Sequence, residues 1–200
     1  MIALAINTKT AATFDGLTLS RIKQQCRVMH SDDDARLVRN GAEAVRWVEN
    51  VSGWYFATRT LTVNLPGKPC GDSLQIPICP ITAVNTIYYY DSSHADTLWA
   101  SSKYDVLINS EQPSIITPAY GETWPDVATD RPDAFRVEVV AGHASPAAVP
   151  STLQSAALMK AEQLYKLETD VPNNPSTASD AAILQMIRSA GWGFYATGAL

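Results

Sequence analysis

Proline placement limits this chain more than any other feature. A proline lacks the backbone N–H and collides with the preceding helical turn, so a proline-studded stretch cannot stay helical for long. Of the twelve prolines, none falls in residues 1–53, nine fall in 54–149 and three in 150–200. Helix is therefore expected near both ends, with strand and turn between.

The spacing of apolar residues agrees. "LTLSRIKQQCRV" reads as a first helix, with Thr18 as its cap and Leu19, Ile22 and Cys26 on one face. "SDDDARLVRNGAEAVRWVENVSG" reads as a second, capped by Ser31 and ended by Gly53. Asp32, Asp33 and Asp34 fall in its first turn, where acids complement the helix dipole. Val38, Ala42 and Val45 form one apolar stripe, and Leu37, Ala44, Val48 and Val51 broaden it, which predicts packing on more than one side.

From Trp54 the period becomes two. "FATRTLTVNL", "SLQIPIC", "AVNTIYYYD", "LWASSKYDVLI", "SIITP" and "AFRVEVVAG" read as short strands separated by turns. Pro77 restricts the second of them to a sheet edge. Helix returns at "VPSTLQSAALMKAEQLYKL", where Ser151 and Gln154 make a capping-box pattern. Leu153, Ala156, Ala157, Leu164 and Leu167 are its expected buried face. "DAAILQMIRSA" is a short last helix, and "GWGFYATGAL" an uncharged tail.

Helices from the two ends need each other to bury their apolar sides. The expected class is α+β: a discontinuous α-helical bundle from both chain ends with an inserted, mainly antiparallel β subdomain. Residues 1–53 and 150–190 form the helical core, 54–149 the insertion and 191–200 the tail.

Composition narrows the function. Net charge is −5, and the excess lies in the middle, where residues 54–149 hold five bases and ten acids. Broad nucleic-acid binding needs clustered Lys and Arg, so it is disfavoured. Three cysteines at unhelpful spacing do not make a disulfide framework, and a reducing compartment fits them best. No apolar run approaches the roughly 20 residues that span a bilayer, and "IALAI" is too short for a signal-peptide core.

No phosphate-binding glycine loop, HExxH, GxSxG or CxxC occurs. Asp32–Asp34 read as dipole complementation rather than as a metal site. Cys26 and His30 share a helix face, but no second pair completes a zinc site. His143 beside Ser145 sits at a strand exit, without a triad order. Tyr88–Tyr90 lie on a strand, so the middle ring faces away from its neighbours and the three make no single stacking platform. No catalytic residue, cofactor or metal is assigned. The candidate partner-binding residues are aromatic: Trp124 in a long loop, and Trp192, Phe194 and Tyr195 between glycines in the tail.

The order of these segments resembles the head–tail connector proteins of long-tailed phages, prophages and gene-transfer particles, also called adaptor or head-completion proteins. The resemblance covers roughly residues 17–190. It is most specific in "PAYGETWPDVATDRPDAFRVEVVAG" running into the "VP" helix. In that family a W-P loop, an R-P-x-A-V turn, a strand ending in glycine and a "VP" helix follow one another in this order, and here the turn reads R-P-D-A-F. His143 departs from the pattern, standing where an aromatic is usual.

The resemblance implies a structural virion protein, made in the host bacterial cytoplasm and placed at the capsid–tail neck. Such proteins form a homo-oligomeric ring, usually of twelve copies, between the portal protein and a tail-proximal neck or stopper protein. Trp192, Phe194 and Tyr195 are then expected to meet the portal, and Trp124 a neighbour or the neck. The ring continues the channel through which DNA leaves, without specific DNA binding and with no membrane contact. An acid-rich lining would suit passage without grip. Two rivals stand beside it: a small hydrolase, which predicts a pocket of perturbed titratable groups, and a DNA-packaging factor, which predicts a basic patch.

Overall fold

The computed structural model describes residues 5–13, 15–109, 112–169 and 180–189. The chain divides into two compact units, Met1–Thr13 with Thr58–Gly142, and Phe14–Ala57 with His143–Leu200. Each is discontinuous in sequence.

The first unit is all β. Its strands are β1 (Ala5–Thr8), β2 (Arg59–Leu65), β3 (Leu74–Ile76), β4 (Ile81–Tyr90), β5 (Asp96–Trp99), β6 (Tyr104–Leu107), β7 (Ser114–Pro118) and β8 (Phe135–Ala141). They make a five-stranded sheet of order β1-β2-β8-β4-β5 and a three-stranded sheet of order β3-β7-β6. Every pairing among them is antiparallel.

Strand β8 is the centre of the larger sheet. Phe135, Val137, Val139 and Ala141 are all 0% exposed, and Arg136, Glu138 and Val140 alternate with them on the other face. Its register sets Leu61, Val63 and Leu65 of β2 opposite Val139, Val137 and Phe135. Across β4 it sets Ile87 opposite Val137, and Tyr89 opposite Phe135. The apolar side chains of three strands thus share one face, as a period of two requires. Strand β3 lies at a sheet edge, the position that the following Pro77 permits.

Two features of this unit differ from the sequence reading. Residues 5–8 form an edge strand on β2, although residues 1–53 were expected to belong with the helices. All four are exposed, so no alternating burial marks them as strand. "LWASSKYDVLI" is not one strand. A 3-10 turn at Ser101–Lys103, closed by Lys103 N–H donating to the Ala100 carbonyl at 2.9 Å, splits it into β5 and β6, one in each sheet.

The second unit holds α1 (Leu19–Cys26), α2 (Asp34–Ser52), α3 (Ser151–Thr169) and α4 (Asp180–Ser189). Helix α3 packs against α1, α2 and α4. The buried stripe of α2 is Leu37, Asn40, Gly41, Ala44, Val45, Val48, Glu49 and Ser52. Val38 and Ala42, expected inside, are exposed. The stripe repeats at three, four and seven residues from Leu37, a spacing that turns Val38 outward. Leu153, Ala156 and Ala157 of α3 are buried as expected, but Leu167, in its last turn, is 69% exposed.

The caps also shift. Thr18 is the N-cap residue of α1, but its side chain makes no cap bond. Asp33, not Ser31, is the N-cap residue of α2, because Ser31–Asp34 closes its own turn. Gln154 does not complete a capping box. Its amide donates to the Val149 carbonyl at 2.7 Å and the Pro146 carbonyl at 3.0 Å, and its oxygen accepts from Arg21 on α1. Gly53 ends α2 as read, in the left-handed conformation (φ 71°), with its N–H donating to the Glu49 carbonyl at 2.9 Å.

Polar contacts tie the two chain ends together. Arg39 of α2 donates to Glu168 of α3 at 2.9 Å, and the Tyr165 hydroxyl donates to Asp33 at 2.8 Å. Gln25 of α1 donates to Glu162 of α3. Gly41 permits the close approach of α1: a Cβ there would stand 2.4 Å from Ile22 Cδ1. Gly41→Val should lower stability by about 1–3 kcal/mol through overpacking. Gly67→Ala, where a Cβ meets nothing within 4 Å, should stay within about 0.5 kcal/mol of the parent. Urea titrations of the two variants decide this.

Candidate partner-binding surfaces

Trp124 is held by the loop between β7 and β8. That loop opens with a tight turn in which Glu122 N–H donates to the Ala119 carbonyl at 2.9 Å and Gly121 takes φ 82°. Farther on, Ala128 N–H donates to the Tyr90 carbonyl at 2.8 Å, and Tyr90 N–H to the Ala134 carbonyl at 2.9 Å. The loop is thereby fastened to the end of β4. The Tyr120 side chain is fully exposed at the turn.

Between these fixings the Trp124 indole turns toward the sheet. Its ring lies 5.3 Å from Trp99 and 5.8 Å, edge-on, from Phe135, and Trp99 lies 5.1 Å from Tyr104. Its Nε1–H donates to the Gly71 carbonyl at 2.8 Å, so the polar edge is satisfied too. Half-buried Trp124 thus covers the sheet end where β5 gives way to β6. Trp192, Phe194 and Tyr195 lie outside the described residues.

The tyrosines alternate as their strand requires. Tyr88 and Tyr90 share a face with Arg136, whose guanidinium lies 5.8 Å from the first ring and 4.6 Å from the second. Arg131 lies 3.7 Å from the Tyr90 ring and pairs with Asp133 at 3.0 and 3.1 Å. That hydrogen bond holds the Asp133 carboxyl below the usual range. Arg136 also donates to Asp96. Guanidinium stacking on the tyrosines uses the ring faces that base stacking would need.

The acids of the middle segment are mostly partnered. Asp96, Glu122, Asp126, Asp130, Asp133 and Glu138 face Arg136, Lys103, Lys68, His94, Arg131 and Lys9 respectively. Most of these acids stand beside a cation, but all those cations except Lys9 belong to the same segment, so its net negative charge remains.

The other candidates come apart. No group of three or more His, Cys, Asp or Glu able to hold a metal ion occurs among the described residues. Burial pushes the Cys26 thiol up to about 11, which leaves little thiolate to act as ligand or nucleophile. His30 is exposed beside Asp32 and Asp33. His143 stacks on Trp54 at 6.2 Å with 21° between ring planes, the part an aromatic would play. Burial lowers its pKa.

Comparison with family models finds no match, and comparison with curated proteins finds none either. Solved structures do match, over nearly the whole chain. A chain in the virion of a native gene transfer agent particle superposes with TM-score 0.72 at 20% identity, covering 98% of this chain and 96% of that one. A chain in the neck of a native particle, computed with C12 symmetry, gives 0.69 at 19%, covering 92% and 93%. The fold is that of gene-transfer-particle neck chains. A third match, in the neck of an empty particle computed with C6 symmetry, gives 0.67 at 23%, covering 90% and 93%.

Two outcomes follow for these residues. Trp124→Ala should cost about 2–4 kcal/mol in urea unfolding, because it opens the Trp99–Phe135 cluster; a change under about 0.5 kcal/mol would leave Trp124 as a surface group. The depressed His143 pKa has a definite sign. Its contribution is full above the unfolded value near 6.5 and is lost as pH falls through the folded value. Between pH 7.5 and 5.5 the parent should therefore lose more stability than His143→Phe, as paired urea titrations would register.

Proposed function

We propose that this chain is a structural head–tail adaptor of a virion, part of the neck, and that it performs no catalysis. One observation carries the reading: the fold superposes over at least nine-tenths of its length on chains from gene-transfer-particle virions and necks. The resemblance of the W-P loop, the β8 strand and the "VP" helix to connector proteins supports it independently.

In this reading copies form a ring, twelve-fold by analogy with the C12 neck, between the portal protein and a tail-proximal neck protein. The ring continues the DNA channel. Two discontinuous units joined by several chain crossings suit such a subunit, since each can meet a different partner. The helical core, residues 14–57 and 143–189, makes the contacts within the ring, and the β unit faces outward or toward the tail. Trp192, Phe194 and Tyr195 anchor the chain on the portal. Trp124 acts through the shape of its loop, which presents Tyr120 to a neighbour. Acidic groups line the channel only where their cationic partners leave them uncovered.

The experiment is a comparison of particles. A chain truncated after residue 190 should fold with an unchanged circular-dichroism spectrum yet fail to join filled heads to tails, by electron microscopy of the necks. Normal particles from the truncated chain would overturn the tail assignment. Necks lacking density for the full-length chain would overturn the adaptor reading. The rival packaging role is measured separately. Duplex DNA at physiological salt should bind no more tightly than about 10⁻⁴ M, the weak end of nonspecific binding.

A further inference from the structure

The five-stranded sheet ends in β1 on one side and β5 on the other, and no strand among the described residues pairs with the outer side of either. An open edge is a template for a further strand. Strand β1 carries neither charge nor proline, and all four of its residues are exposed. One row of side chains crosses the sheet from edge to edge. The register sets Ile6 opposite Val63, Val63 opposite Val137, Val137 opposite Ile87 and Ile87 opposite Trp99. The row is buried from Val63 to Trp99, but Ile6, its last member, is 39% exposed. Backbone direction follows from the bonds at each strand's end. Lys9 N–H donates to the Thr60 carbonyl at 2.9 Å, so the N–H and C=O of Asn7 also face β2, and those of Ile6 and Thr8 face outward. Asp91 N–H donates to the Ala95 carbonyl at 3.1 Å, so Thr97 and Trp99 face β4, and Asp96 and Leu98 face outward.

We propose that β5 of one copy pairs with β1 of the next, in parallel, so that the sheet continues from subunit to subunit. This rests on the ring reading and adds a contact to those of the helical core. Opposite edges that join head to tail make the heterologous contact from which rings close. Every step across the sheet is antiparallel and β1 lies four steps from β5, so the two edges run in the same direction. A small rotation between neighbours keeps that direction, and the junction is parallel. In a parallel pair, an outward-facing residue of one strand stands opposite a residue whose two neighbours face outward on the other. Ile6 opposite Thr97 meets that rule: the Ile6 N–H donates to the Asp96 carbonyl, and the Ile6 carbonyl accepts from the Leu98 N–H. The same register keeps Ile6 on the face of Thr97 and Trp99, so the apolar face runs on into the next copy. An antiparallel junction fails, because it sets Ile6 against Asp96 or Leu98, whose side chains stand on the other face.

The test uses assembled particles. The chain carries Asn7→Cys with Leu98→Cys, both at exposed positions, and Cys70→Ser removes the exposed native thiol. The register sets the two new thiols on adjacent strands about 5 Å apart at Cα, within disulfide range. Oxidised necks on a non-reducing gel should give a ladder of covalent dimers, trimers and higher multiples, absent from either single-cysteine variant. Dimers from Asn7→Cys alone mean that β1 pairs with β1 and overturn the proposal, as do necks that hold the chain but give no ladder. Necks that lack even the unsubstituted chain overturn the ring reading, and this inference with it. Where the cysteines themselves bar the chain from necks, Thr8→Pro decides. It removes an outward N–H and spares the bonds to β2. Its circular dichroism should be unchanged and its occupancy in necks roughly tenfold lower; unchanged occupancy overturns the proposal.

Discussion

The strand Phe135–Ala141 is the constraint on which the β unit depends. It is hydrogen-bonded on both sides, to β2 and to β4, along nearly its whole length. A one-residue slip would turn Phe135, Val137 and Val139 to the opposite face and bring Arg136 and Glu138 inside. Desolvating those charges without partners costs several kcal/mol each, so the register has one acceptable setting. The same strand fixes where the loop carrying Trp124 ends.

In the helical unit the comparable role belongs to α3. It contacts α1, α2 and α4, so both halves of the sequence meet on one element. Its apolar face is made of small residues, Ala156, Ala157 and Ala161 beside Leu153. Alanines let helices approach closely, and Gly41 does the same where α2 meets α1. Charged side chains then close over the seam, as Arg39 does on Glu168. Buried Lys160 fits because its stem lies along the bundle while its ammonium meets Asp180 and the Trp47 ring.

The middle of the sequence is acidic by count, but its carboxylates mostly stand beside single Lys, Arg or His residues. Exposed pairs of this type add little stability, about 0–1 kcal/mol each. Their larger effect is to shape the local potential.

Much of this was legible in the sequence, and the failures have two causes, local turns that the apolar pattern does not mark and contacts with distant parts of the chain. Proline placement and apolar period settled the α+β class, the positions of the four helices, the alternation of β8 and the stop at Gly53, because each is governed by bonds within a few residues. The use of Gln154 and the pairing of the two halves of "LWASSKYDVLI" in different sheets were decided by neighbours distant in the chain, whereas the outward face of Val38 follows from the helical spacing and the cap at Asp33 from the local Ser31–Asp34 turn. Strand β1 was hidden because both its faces are exposed and it pairs only through its backbone, which leaves no mark in side-chain pattern. Trp124 was recognisable as an aromatic in a loop. Only the tertiary structure, by bringing Trp99, Phe135 and the Gly71 carbonyl to one place, decided that its ring lies against the sheet. A side chain's local sequence fixes its conformation, but the surfaces that bury it come from elsewhere in the chain.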